Sequence, residues 1–351
     1  MIGSPVQFRD VTKVFGETVA LKAFNLDVAS GEFVTLLGAS GSGKSTALNI
    51  LAGFSDATSG DVFIDNKSMA GVPSERRNVG MVFQSFALFP HLTVADNVAY
   101  PLKMRRCPSD EIKRKVGEAL ELVQLSALAG RKPMALSGGQ RQRVALARAV
   151  VFEPPVLLMD ECLSALDLKL REELQREIRS IQRNLGVTVV FVTHDQTEAL
   201  TMSDRIAILE GGKIVQIDTP ERLYDRPRTR FVADFIGQSN TFDIVPGPNG
   251  TVGVPDLGVD IPLHGNAVAI ALRPERLRLV DGPARPGEIV FDGHVEDETF
   301  FGPVVARSVR LRTGRLLEIR SARSGHGLEP APVGPISLGF YPADVAPLAA
   351  D

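Results

Sequence analysis

"FVTLLGASGSGKS" (33–45) runs from a short apolar segment into a glycine-rich turn that closes on Lys-Ser. The segment "FVTLLG" (33–38) reads as a strand covered on both faces, because no polar residue alternates through it. The remainder, "GASGSGKS" (38–45), fits the pattern G-x-x-x-x-G-K-[ST], with a helix opening at Lys44. Gly38, Gly41 and Gly43, with Ser40 among them, let successive backbone N–H groups turn inward around phosphate oxygens. The helix that starts with Lys44, Ser45 and Thr46 adds a dipole favourable to anions. Lys44 is placed for the β- and γ-phosphates and the Ser45 hydroxyl for Mg²⁺. The expected fold around this loop is α/β, of the phosphate-loop nucleotide-binding type.

Working outward, "NVGMVFQ" (78–84), "PVLLMDE" (155–161) and "VTVVFVTH" (187–194) are further apolar runs suited to the same mainly parallel sheet. "RIAILEGGKIVQID" (205–218) carries a hairpin signal at Gly211-Gly212. Between residues about 85 and 152 the pattern turns helical, as in "SDEIKRKVGEALELVQL" (109–125), which suggests a helical subdomain inserted into the α/β domain. After residue 235 proline and glycine become frequent and the strands short. We therefore expect an α/β domain over 1–235 and a small all-β barrel or sandwich over 236–351.

The bulk properties exclude several classes. The chain has 351 residues, 44% hydrophobic and 23% charged, with a net charge of −3. That length accommodates two cores, and that charge leaves no electrostatic footprint for nucleic acid. No apolar run approaches the ~20 residues of a membrane helix, and the start "MIGSPVQFRD" lacks the basic and apolar regions of a signal peptide. A cytoplasmic location is expected, with room for a membrane-bound partner. Cys107 and Cys162 are the only cysteines, too few for a disulfide framework or a tetrahedral zinc site.

Chemistry beyond nucleotide binding comes from "LLMDECLSALD" (157–167). An apolar strand delivers Asp160 to the carboxyl edge of the sheet, where α/β sites lie. An acid there can hold Mg²⁺, and Glu161 is within reach of a water attacking the γ-phosphate. In "LSGGQRQRVALARAV" (136–150) Ser137 can cap a helix whose first N–H groups stay open at Gly138 and Gly139, a second anion site.

"LSGGQ" some twenty residues before an apolar strand ending in Asp-Glu resembles the ATP-binding cassette family. The likeness spans residues 4 to 240, with every motif in family order. It implies that Phe15 lies against adenine, that Gln84 belongs to the glutamine loop, that "SALD" (164–167) with Asp167 joins two subunits, and that His194 in "VTHDQTEAL" is the switch histidine. It further implies a head-to-tail homodimer in which Ser137, Gly138, Gly139 and Gln140 of one subunit close over ATP held by the other. Glu161 is then the general base, Gln84 helps hold metal and water, and His194 contacts the γ-phosphate. The family usually has proline where this chain has Cys162, so the restraint on Glu161 differs. Asp160, Glu161 and a bound triphosphate are expected to oppose thiolate formation at that cysteine.

The tail segments "FIGQSN" (235–240), "LRPERLRL" (272–279) and "FFGPVVARSVRLRTG" (300–314) resemble the oligonucleotide-binding-like domain of bacterial importer ATPases. That likeness implies two integral membrane permease subunits, docked near Gln84 and "SFALFPHLTV" (85–94), and an indirect solute-binding protein at the other side of the inner membrane. The texture of "TPERLYDRPRTRFVADFIGQSN" (219–240) is most similar to polyamine importers, with iron(III), sugar and phosphonate importers sharing much of it. An ATP-gated regulatory module is the alternative of a different class.

Overall fold

The computed structural model describes residues 3–163, 167–263, 266–323 and 334–350. Two compact units emerge, Met1–Pro220 and Glu221–Asp351. The composition shift after residue 235 lies downstream of that division, and helices Pro220–Asp225 and Arg230–Phe235 fall around and beyond it.

In the first unit, strands β1 (Val6–Phe15), β2 (Thr18–Val28), β4 (Ser59–Ile64) and β5 (Lys67–Ser68) form an antiparallel sheet in the order β2-β1-β4-β5. The sequence reading expects strands alternating with helices here. What it lacks is this hairpin, because β1 and β2 alternate buried and exposed residues irregularly and are interrupted by bulges. The main sheet comprises β3 (Phe33–Gly38), β6 (Val79–Val82), β7 (Val156–Asp160), β8 (Thr188–Thr193), β9 (Arg205–Glu210) and β10 (Lys213–Asp218), ordered β10-β9-β3-β8-β7-β6. All of its pairings are parallel except the β9–β10 hairpin, as expected.

Every residue of β3 and β8 is buried, which explains their continuous apolar runs. Val34, Leu36, Leu158, Val190 and Val192 face α1 (Lys44–Ala52) and the antiparallel sheet. Phe33, Leu157, Met159, Val189 and Phe191 face the other way, into a core shared with the helical insertion. That insertion consists of α2 (Val94–Met104), α3 (Ser109–Leu122) and α4 (Gly138–Val150). Beyond β7, α5 (Leu168–Leu185) and α6 (Gln196–Met202) complete the unit. Among the described residues no helix is long and apolar enough to cross a membrane.

The second unit begins with α7 (Pro220–Asp225) and α8 (Arg230–Phe235) and is otherwise built of short strands. These form sheets of three, three and five strands around one core that includes Phe242, Ile261, Leu272, Phe291, Val309 and Phe340. Two of the segments singled out in the sequence hold this unit together. Arg273 of "LRPERLRL", 5% exposed, donates to the carbonyls of Tyr224, Ala233 and Gln238 and lies 4.2 Å over the Tyr224 ring. Asn240 of "FIGQSN" bonds the Glu318 backbone through both its amide nitrogen (2.7 Å) and its oxygen (2.9 Å). Segment 300–314 contains the strand Val304–Leu311, paired with Ile289–Phe300.

Candidate nucleotide site

The glycine-rich turn leaves β3 at Gly38 and enters α1 at Lys44. Gly41 (φ 80°) and Gly43 (φ 103°) take left-handed backbone that a side chain would strain. Gly43 has a second constraint, since a Cβ there would stand 2.6 Å from the Ala20 carbonyl oxygen and 2.8 Å from Leu21 Cδ2. Lys44 is 5% exposed, and its Nζ donates to the carbonyls of Gly38 and Ala39, both at 2.8 Å. The ammonium is thus folded back over the loop it belongs to. Burial pulls the Lys44 pKa down, while Glu161 and Asp160 raise it. Ser40, Gly41 and Ser45 are exposed and Thr46 partly so, which leaves the mouth of the loop open to a ligand.

Across from the loop, β7 ends at Asp160, whose Oδ1 stands 3.5 Å from Ser45 Oγ. Burial raises the Asp160 pKa, and the neighbouring Glu161 raises it further. A cation at the site would oppose both causes by favouring the charged carboxylate. The donor set fits Mg²⁺: a hydroxyl and a carboxylate oxygen near the ~3 Å that separates neighbouring ligands of an octahedral ion. Among the described residues no group of three or more His, Cys, Asp or Glu could hold a metal, so waters and phosphate oxygens would have to complete the shell.

Glu161 continues the β7–β8 ladder through its N–H to the Val192 carbonyl (2.9 Å), then leaves it with φ 40°. Left-handed backbone costs a non-glycine residue about 1–2 kcal/mol. Its carboxylate is bracketed. Gln84 Nε2 donates to Oε2 at 3.3 Å, and His194 Nδ1 lies 3.2 Å from Oε1. Lys44, Ser45, Gln84, Asp160, Glu161 and His194 are therefore linked by direct contacts or charge, as one cluster on the carboxyl edge of the parallel sheet.

The other sequence candidates lie apart from these contacts. Phe15 is 51% exposed, with the Lys13 ammonium 4.8 Å from its ring centre. Ser137 caps α4: its Oγ accepts from the Gln140 N–H (3.3 Å) and its own N–H donates to Gln140 Oε1 (3.0 Å). A Cβ at Gly139 would stand 2.7 Å from Leu170 Cδ2, so that side chain would have to shift. Asp167 caps α5, accepting from the Leu170 N–H at 3.1 Å. Ser164, Ala165 and Leu166 lie outside the described residues.

Cys162 is 1% exposed and belongs to the core shared with the helices. Its thiol pKa is raised chiefly by burial, then by Glu198 and Asp160. This corrects the sequence expectation on one point: desolvation and a glutamate from α6 outweigh Glu161 as causes. The consequence is the same, an unreactive thiol.

Sequence reasoning missed the residues that hold the histidine loop. Asp195 caps α6 by accepting from the Glu198 N–H (3.0 Å) and takes an ion pair from Arg171 of α5 (2.9 Å). Glu198, 1% exposed, accepts from the Thr193 hydroxyl at 2.6 Å, and burial raises its pKa. A signal was present, since D-x-x-E at 195–198 is a capping pattern.

Known proteins bear on this geometry. Residues 21–164 match the ABC transporter family model and residues 270–348 the TOBE domain model. The chain is 47% identical over 318 residues to the spermidine/putrescine import ATP-binding protein PotA of Methylococcus capsulatus, covering 88% of this chain and 82% of that one. It is 46% identical over 324 residues to the protein of that name from Pseudomonas aeruginosa, covering 89% of each. The dimeric structure of MJ0796, a bacterial ABC transporter cassette, superposes with a TM-score of 0.56 at 38% identity, over 61% of this chain and 98% of that one. An ATP-binding cassette of α/β fold with a helical subdomain, followed by an all-β TOBE domain, places the chain in the ABC transporter family, as an ATPase among its import ATP-binding proteins.

Proposed function

We propose that this ATPase drives uptake of polyamines, as a homodimer seated on two membrane permease subunits at the cytoplasmic face of the inner membrane, fed by a solute-binding protein. The polyamine assignment is supported by the relatives named for spermidine and putrescine import. The dimer is supported by the likeness to the dimeric cassette.

The observation that carries the hydrolytic reading is the Glu161 carboxylate bracketed by Gln84 and His194, beside a loop that ends in Lys44 and Ser45. In this reading Gly38, Ser40, Gly41, Gly43 and Thr46 cradle the phosphates with Lys44, while Phe15 packs against the base. Binding turns the Lys44 ammonium from its own loop carbonyls to phosphate oxygens, exchanging neutral acceptors for charged ones. Ser45 and Asp160, with Gln84 at the edge, would hold Mg²⁺, which would supply charge neutralisation at the phosphates. Glu161 takes a proton from the attacking water, and His194 donates toward the γ-phosphate. Ser137, Gly138, Gly139 and Gln140 of the partner close over the nucleotide, with Asp167 at the subunit junction. The segment 85–94 faces the permeases.

Phosphate release by the full chain, wild type against Glu161→Gln, tests the assignment. The variant is expected to bind ATP with wild-type affinity and to lose about 10²–10⁴-fold in kcat. Undiminished turnover would remove Glu161 from the role of base.

A further inference from the structure

Directly after Gln84 the backbone does something its residues do not favour. Phe86 (φ 62°) and Ala87 (φ 48°) are consecutive non-glycine residues in left-handed backbone, a conformation that persists only where surroundings impose it. The surroundings include one guanidinium. Arg148, on the last turn of α4 and 9% exposed, donates from Nη1 to the Ala87 carbonyl (2.7 Å) and from Nη2 to the Phe86 carbonyl (2.8 Å). Among the described residues these two carbonyls are its hydrogen-bond partners, and burial alone pulls its pKa down. A planar fork of fixed geometry suits two adjacent carbonyls as an ammonium would not. The next residues are held from the other side. Asn97 of α2, fully buried, accepts from the Phe89 N–H (2.9 Å) and donates to the Phe89 carbonyl (3.1 Å), while the Phe89 ring packs 4.5 Å from Tyr100.

We infer that Arg148 is a positioning residue: its guanidinium clamps the Phe86–Ala87 pair left-handed, and so makes α4 a strut between the Ser137–Gln140 turn and the segment that follows Gln84. The two ends of the strut are about 15 Å apart along the helix. Displacement of that segment moves Gln84 against Glu161, whose carboxylate its Nε2 contacts at 3.3 Å. Arg148 acts through the Phe86 and Ala87 carbonyls and not through the Lys44–His194 cluster. Its effect on turnover rests on the hydrolytic reading above, whereas the clamp itself does not.

Hydrogen–deuterium exchange over residues 84–92 and phosphate-release kinetics, both on the full chain, separate the two. In Arg148→Lys, exchange in that segment should quicken about tenfold or more with β3 and β8 unchanged, and kcat should fall about tenfold with KM for ATP within about twofold. Adding Ala87→Gly, which accepts a positive φ without strain, should recover most of both losses. Ala87→Val leaves α4 intact but opposes the left-handed backbone, and should reproduce the faster exchange even if Arg148→Lys folds poorly. Unchanged exchange in Arg148→Lys and Ala87→Val, or no recovery on adding Ala87→Gly, would overturn the clamp. A wild-type chain that releases no phosphate would defeat the hydrolytic reading, and exchange alone would then judge Arg148.

Discussion

Two parts of the candidate site use left-handed backbone, and they obtain it in opposite ways. In the phosphate loop the positive φ angles fall on Gly41 and Gly43, which adopt them without steric cost. On the facing side they fall on Glu161, Phe86 and Ala87, which do not. The loop's shape is therefore intrinsic to its residues, while the glutamate side is shaped by its neighbours: the Val192 carbonyl on Glu161, and Arg148 on Phe86 and Ala87. A part that must cradle a fixed anion can be made rigid locally. The glutamate side is held instead by contacts with residues distant in sequence.

The largest effect that sharpens this contrast concerns the charge in the loop. Lys44→Ala is expected to weaken ATP binding by about 1.5–3 kcal/mol, roughly 10–150-fold, measured by equilibrium titration. Wild-type affinity would mean that the backbone cradle suffices without the ammonium. Next, Gly43→Ala should lower stability by about 1–3 kcal/mol in denaturant melts, because its Cβ meets Ala20 and Leu21 as well as a φ of 103°. An unchanged midpoint would show that the loop, too, is shaped from outside.

The smallest effect is a change of sign. Asp160 has a raised pKa in the folded protein, so the folded state binds the proton more tightly than the unfolded chain. Its contribution to stability is present below the unfolded carboxylate pKa and is lost as pH rises through the folded value. At neutral pH the nucleotide-free protein should therefore melt higher as Asp160→Asn, while ATP hydrolysis falls. A lower Tm for Asp160→Asn than for wild type at pH 7 would contradict the assigned burial cost.

What was legible in the sequence follows the same division. The strand-loop-helix at 33–45 could be read because its glycines state their backbone angles, and the sheet because β3, β7 and β8 are mostly apolar with no period-two alternation. The cap at Ser137 was readable from local spacing, and the structure adds that Gln140 answers it with a reciprocal bond. The antiparallel sheet of β1, β2, β4 and β5 was not readable, because its bulges break the period-two pattern. Nor was the left-handed turn at Phe86–Ala87, whose cause is an arginine sixty residues away in sequence. Cys162 belongs between these cases. Its place beside the carboxylates was plain, but its burial against the helical core, with Glu198 as a neighbour, depends on the tertiary structure.

One measurement bears on the whole proposal: uptake of labelled spermidine into vesicles carrying two polyamine-type permease subunits, with the solute-binding protein outside and this chain and ATP inside. Polyamine uptake should rise with phosphate release and be abolished together with it by Glu161→Gln. Phosphate release without polyamine uptake, or uptake that survives Glu161→Gln, would contradict the proposal.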